Sequence, residues 1–211
     1  MGDGMGVERD EEIWEGRGGI GRIEAFSDGV IAIIITIMVL ELHAPVAEKM
    51  EALWTLWPVF VAYCLSYAYV AIYWVNHHRL FGHARGVTNG LVWSNMALLF
   101  ALSLVPFSTS YLGEHAFSRD ATLLYLATML LPALAYAWLQ SVIRKTGTEG
   151  ERAEHYYTAS SRKGLFATFI YAAGMPLSFV SPWLGIGCAA LVALFWVLPV
   201  GPVDRLFARR P

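Results

Sequence analysis

Arg22, Glu24 and Asp28 put three ionisable side chains at the mouth of the run Gly29-Val30-Ile31-Ala32-Ile33-Ile34-Ile35-Thr36-Ile37-Met38-Val39-Leu40, which has no charge in its interior. From Arg22 to Leu42 is 21 residues; as a helix this is about 30 Å long, one hydrocarbon thickness. A charge in such a place is expensive unless paired, and in membranes such groups commonly mark a path for ions or solutes. An anchor helix has no use for an Arg and an Asp six residues apart at its entrance, so the run is expected to line something.

Asp28 follows Arg22 by about one and two-thirds helical turns, so the two do not form a simple i,i+4 pair and each needs a partner elsewhere. Trp74, Asn76, His77, His78 and Arg79 supply candidates at the end of the second apolar stretch. If the first two spans are antiparallel neighbours, the start of one meets the end of the other. Asp28 would then pair with a histidine or with the Trp74 indole, and Arg22 with Asn76 or a carbonyl. Such a cluster serves either a direct role in gating or a purely structural lock between helices. Adjacent histidines point about 100° apart on a helix, and no Cys or His-x-x-x-His set accompanies them, so no metal site or other cofactor is expected. A histidine against Asp28 would make the pair pH-sensitive near neutrality.

Positions three, four and seven apart share a helix face. Val30, Ile33, Ile37 and Leu40 form one stripe, with Thr36 beside it and Gly29 leaving its start uncrowded. Taken alone, the stripe reads equally as a lipid-facing or helix-packing surface.

The elements that position these residues follow from composition. Of 211 residues 56% are hydrophobic and 15% charged, and the mean hydropathy is +0.49. Soluble domains carry nearer a quarter charged residues, so the chain reads as an all-α polytopic membrane protein. A net charge of −2 and the lack of a basic, aromatic-interleaved patch argue against a nucleic-acid partner. Cys64 and Cys188 lack metal-ligand or disulfide spacing and read as small buried residues. Six apolar stretches lie near 22–43, 54–80, 91–112, 120–143, 164–180 and 182–199, the last two joined by Ser181-Pro182 as a tight hairpin or tilted half-spans. Pro58, Pro106, Pro132 and Pro176 fall in or at the ends of spans, where each removes a backbone donor and can kink its helix. The domain layout is a cytoplasmic tail over 1–20, acidic, Gly-rich and without signal-peptide features, a transmembrane unit over 21–200, and a cytoplasmic tail over 201–211.

Of the 15 Lys and Arg residues, all but Lys49 and Arg119 fall in the N-terminal segment, the 79–90 connection, the 144–163 segment or the C-terminal tail. Six spans with both termini cytoplasmic satisfy the positive-inside rule throughout, and a five-span reading would place Arg205, Arg209 and Arg210 outside. The charged, Gly-containing 144–163 segment reads as a long mobile loop. No internal repeat is visible, unlike the duplicated halves of many secondary transporters.

The string Arg22-x-x-x-Phe26-Ser27-Asp28, the Ile/Thr/Leu-rich run after it and Tyr73-Trp74-Val75-Asn76-His77-His78-Arg79 resemble the signature of the transmembrane protein 175 potassium channel family. The resemblance spans the whole layout and is specific in the first two spans. It implies a potassium-selective leak channel of the cell membrane, a homotetramer with the first helix around a central pore, and potassium and other monovalent cations as permeant partners besides lipid. It also implies that rings of Ile33, Ile37 and Leu40 form the constriction, with Thr36 as a hydroxyl layer. Arg22, Asp28, Trp74, Asn76 and a histidine, His77 or His78, would form the polar network behind it. The Thr-Val-Gly-Tyr-Gly carbonyl filter of ordinary potassium channels is absent from the sequence. Glu41 would concentrate cations at the outer mouth or simply end the helix.

Two other functions compete. A proton-coupled small-solute transporter would use Asp28 and a histidine as proton carriers, but the chain shows neither an inverted repeat nor a midplane charge. A membrane-embedded enzyme would need a nucleophile or metal set, and Ser27 has no activating neighbour in sequence, so no enzyme activity is expected.

Overall fold

The computed structural model describes residues 17–45, 48–147 and 150–197, and every regular element among them is helical. Helix α1 covers Arg17–Leu40, α2 Glu51–Trp54, α3 Trp57–Phe81, α4 Asn89–Ser103, α5 Val105–Glu114, α6 Arg119–Thr146, α7 Glu151–Val180 and α8 Pro182–Val197. Five segments are long and apolar enough to cross a membrane: Gly18–Leu40, Trp57–Phe81, Asn89–Glu114, Arg119–Thr146 and Ala153–Val180. The last helix is apolar throughout but has only 16 residues. The tails expected over 1–20 and 201–211 lie outside the described residues except for 17–20, which already belong to α1.

Helix ends follow local chemistry. The Thr88 hydroxyl accepts from the Leu91 amide at 3.1 Å and starts α4, and Ser118 does the same for Ala121 at 3.4 Å at the start of α6. Pro58 and Pro106 sit in the first turns of α3 and α5, where a missing N–H costs least. Pro106 therefore breaks the third span in two at Leu104, while Pro132 and Pro176 lie inside α6 and α7. The α5–α6 turn holds Ala116 and Phe117 at positive φ, 44° and 58°. That backbone costs about 1 kcal/mol per residue; the buried Phe117 ring offsets it by packing 5.0 Å from Trp183 and 5.7 Å from Trp57, centroid to centroid.

Three expectations need correction. The 144–163 segment is not a loop: α6 runs to Thr146 and α7 starts at Glu151, so only a short connection around Gly147 and Gly150 separates them. The charges that suggested a loop stabilise the helix instead. Glu151 and Glu154 lie in its first turn, where the macrodipole favours anions, and Glu154 pairs with Arg144 across the turn. The fifth span is accordingly a helix of 30 residues and not a half-span. Finally, Cys64 is exposed and Cys188 only half-buried, because Cys64 lies on the outer side of α3 while Ala62, Ser66 and Tyr69 face inward.

The core gathers around α6. Tyr125, Leu126 and Met129 pack against Leu91, Leu98 and Leu102 of α4, Val70 of α3 and Tyr171 of α7, all buried. Helix contacts are polar as well as apolar: the Thr109 and Ser66 hydroxyls are 2.7 Å apart, and Ser66 lies 3.0 Å from the Tyr125 hydroxyl. Close approach depends on glycine at two points. A Cβ on Gly113 would lie 2.8 Å from the Val59 backbone, and one on Gly185 would overlap the Ser178 hydroxyl.

Candidate permeation helix and its polar support

Helix α1 packs against α3, α4 and α5. Its buried side chains are Ile20, Ile23, Ser27, Ile31, Ile34 and Met38, stepping by three or four along one face. The opposite face is uncovered by the other described helices: Ile33 is 57% exposed, Ile37 40% and Leu40 76%. Thr36 is exposed on the same side, and its hydroxyl donates to the Ile33 carbonyl at 2.8 Å. Gly29 opens this face, and a Cβ there would meet nothing within 4 Å.

Two antiparallel rungs hold the start of α1 to the end of α3. The Trp74 indole donates to Asp28 Oδ1 at 2.9 Å, and His78 Nδ1 lies 2.7 Å from Glu24 Oε1. Glu24 and Asp28 are one turn apart, as are Trp74 and His78, and the two rings are near-parallel at 20°. Of the partners open to Asp28, the structure selects the indole; neither histidine bonds it.

Beneath the rungs lies a buried chain of oriented hydrogen bonds. Ser27 donates to the Ile23 carbonyl at 2.8 Å, so its oxygen is left to accept from Asn95 Nδ2 at 2.9 Å. Asn95 Oδ1 then faces His77 Nε2 at 2.8 Å, which fixes that nitrogen as the donor. Ser27, Asn95 and His77 are all 0% exposed. His77 Nδ1 is left with no partner, and the ring stacks on Phe81 with centroids 4.2 Å apart.

The structure places Asn76 apart from this network. The Asn76 side-chain amide donates to Ile72 O in its own helix at 2.8 Å, and the Asn76 backbone carbonyl accepts from the Tyr136 hydroxyl at 3.1 Å. Arg22 and Phe26 lie on the exposed side of α1. At the far end, Ser110 Oγ lies 3.3 Å from Glu41 Oε2 and 3.2 Å from Glu114 Oε1. Asn95 was not anticipated, although an amide within an otherwise apolar span is the type of residue that glues membrane helices. Glu24 stood out as an entrance charge, but nothing in its spacing named His78. Among the described residues no group of three or more His, Cys, Asp or Glu could hold a metal ion.

Residues 22–106, which contain most of α1, all of α3 and α4 and most of this network, match the family model described as endosomal/lysosomal potassium channel TMEM175. A potassium channel of Chryseobacterium sp. (strain P1-3) is 42% identical over 186 residues, covering 88% of this chain and 96% of that protein. The crystal structure of a lysosomal potassium-selective channel TMEM175 homolog from Chamaesiphon minutus is similar with a TM-score of 0.77 and 32% identity, covering 86% of this chain and 98% of that one. An endosomal/lysosomal proton channel TMEM175 of Mus musculus is 36% identical over 111 residues, 47% of this chain and 22% of its own length. The chain belongs to the TMEM175 family, a family of membrane ion channels and not of enzymes.

Proposed function

We propose that the protein is a potassium-selective leak channel in which α1 helices from four copies surround one axis. The observation that carries this reading is the two-sidedness of α1: one face is held by the Ser27–Asn95–His77 chain, and the other leaves Ile33, Ile37 and Leu40 exposed among the described residues. One chain brings one such helix, and a closed ring needs several. The six-span layout adds α8 to the five longer segments, and the distribution of Lys and Arg favours both termini on the cytoplasmic side.

In such a ring the three side-chain layers are spaced by about 6 and 4.5 Å along the axis, from the helical rise. Apolar layers this close exclude water when narrow, and a small widening readmits it; the constriction gates by dewetting. Thr36 contributes chemistry between them. Because its proton is engaged by the Ile33 carbonyl, the hydroxyl oxygen presents lone pairs outward and can replace part of a cation's hydration shell. Potassium sheds water more readily than sodium, so the layer favours potassium, though less strongly than a carbonyl filter does.

Proton permeation is the second reading, favoured by the name of the mouse relative. Proteoliposomes containing the full chain distinguish the two. A reversal potential that follows the potassium gradient, and shifts little with a proton gradient, supports the potassium channel. A reversal potential that follows pH supports the alternative, and an absence of conductance removes both.

A further inference from the structure

Helices α3, α6, α7 and α8 enclose a cleft that α1 does not line, with about 490 Å³ of empty space including its open mouth. Aromatic walls from Tyr73, Tyr136 and Trp196 face small residues, Gly164, Ala167 and Ala193, and it is the missing side-chain volume of these that leaves the space. From Asn76 to Tyr69 the cleft runs two helical turns, about 10 Å.

One end of this apolar space is strongly basic. Lys163 is only 8% exposed, precedes the lining Gly164, and holds its ammonium 5.7 Å from the centre of the Trp196 ring. Arg79, one turn beyond the lining Asn76, is exposed and within electrostatic reach of Lys163. Two like charges beside one cavity repel each other, and an anion between them is attracted by both. A buried lysine within a membrane-crossing helix is a functional mark, and a basic pocket between such helices is suited to an anionic headgroup.

We propose that this cleft binds an anionic phospholipid, its phosphate between Lys163 and Arg79 and part of one acyl chain between Tyr73, Trp196 and Gly164. Two cations at one end of the cleft attract an anionic headgroup, and the aromatic, side-chain-poor cleft below them accommodates hydrocarbon. The site is independent of which ion the channel passes.

The test is native mass spectrometry of the full chain in neutral detergent, titrated with dioctanoyl phosphatidylglycerol, dioctanoyl phosphatidylcholine or inorganic phosphate. Phosphatidylglycerol should bind more tightly than phosphatidylcholine, and Lys163→Gln and Arg79→Gln should each weaken it about fivefold. Gly164→Leu, which fills the cleft, should weaken it at least as much. Gly164→Ala, whose Cβ meets nothing within 4 Å, and Lys145→Gln should leave it unchanged. If the buried Lys163→Gln variant does not fold, the exposed Arg79→Gln carries the charge arm. Equal binding of the two lipids, insensitivity to Gly164→Leu, or displacement of the lipid by inorganic phosphate alone would each overturn the proposal.

Discussion

Trp74 donates its indole N–H to the Asp28 carboxylate at 2.9 Å, joining two residues 46 positions apart and setting the antiparallel register of α1 and α3. His78 on Glu24 repeats the contact one turn away, so each step toward the N-terminus on α1 is matched by a step toward the C-terminus on α3. Trp74→Phe keeps the ring and removes only the donor. A hydrogen bond to a charged acceptor at a half-open site contributes about 1–2 kcal/mol, so the variant should unfold at lower temperature in detergent. Removing Asp28 as well should add little, and a double-mutant cycle that instead came out additive would dissociate the pair.

Asn95 should matter more than either rung. Asn95→Ala strands the His77 Nε2–H and deprives Ser27 of its donor in a site with no solvent. The expected loss is about 2–4 kcal/mol, read as denaturant or thermal unfolding of the purified protein. Ser27→Ala should cost less, and the two changes together should cost less than their sum, because they break one chain.

The Glu24–His78 rung should be nearly silent by comparison. The His78 side chain is 69% exposed, and exposed pairs contribute about 0.2–1 kcal/mol. Glu24→Gln is therefore expected to leave unfolding almost unchanged at physiological salt. A loss as large as that of Asn95→Ala would show the rung to be buried in the assembled protein.

Changes on the uncovered face of α1 should alter conduction and leave the fold intact. Ile33→Asn and Ile37→Asn place an amide where the dry layer is proposed, and should raise the single-channel current or open probability several-fold. Thr36→Val, nearly equal in volume, should lower the potassium-to-sodium permeability ratio without abolishing current. Planar-bilayer recording under bi-ionic conditions measures both. Unaltered currents in all three variants would place the axis elsewhere.

Two glycines give opposite expectations. Gly113→Ala drives a Cβ to 2.8 Å from the Val59 backbone, which cannot rotate away as a side chain can, and overpacking of this type costs about 1–3 kcal/mol. Gly29→Ala meets open space and gains about 1 kcal/mol of helix propensity. Thermal unfolding of the two variants should move in opposite directions. A Gly29→Ala protein with normal unfolding and reduced current would tie this position to the path.

The legible part of the molecule was the part whose physics is periodic or terminal. The stripe of Ile33, Ile37 and Leu40 follows from 3.6-residue spacing. Trp74 and Asp28 lie at the facing ends of consecutive spans, so their encounter needs only antiparallel packing. Asn95 belongs to a third helix, and no spacing rule ties residue 95 to residues 27 and 77; only their positions in the bundle do. The charge density of the 144–163 segment resembles that of a loop, yet most of the segment is helix. Glu151 and Glu154 lie at a helix start that favours them, and Ala153, Tyr157 and Ser160 supply a packed face that the charges obscured. Cys64 shows the converse limit, since an apolar neighbourhood in sequence does not say which side of a membrane helix faces its neighbours.

The strong attachments of α1 are unevenly distributed. Hydrogen bonds to α3 and α4 are made by Glu24, Ser27 and Asp28, whereas from Ile31 to Met38 the inward face is held by hydrocarbon contact, with the Ser110 hydroxyl meeting Glu41 just past the helix end. A rod clamped at one end and greased along the rest resists twisting at the clamp and yields most at its tip. Spinning α1 about its own axis would tear Ser27 from Asn95, while a small swing of the Leu40 tip leaves the bonds between Glu24 and Asp28 intact and disturbs only the Ser110–Glu41 contact. Among rigid motions of this helix, a tilt hinged near residue 28 therefore disturbs the clamp least, and the displacement it produces grows with each turn beyond it.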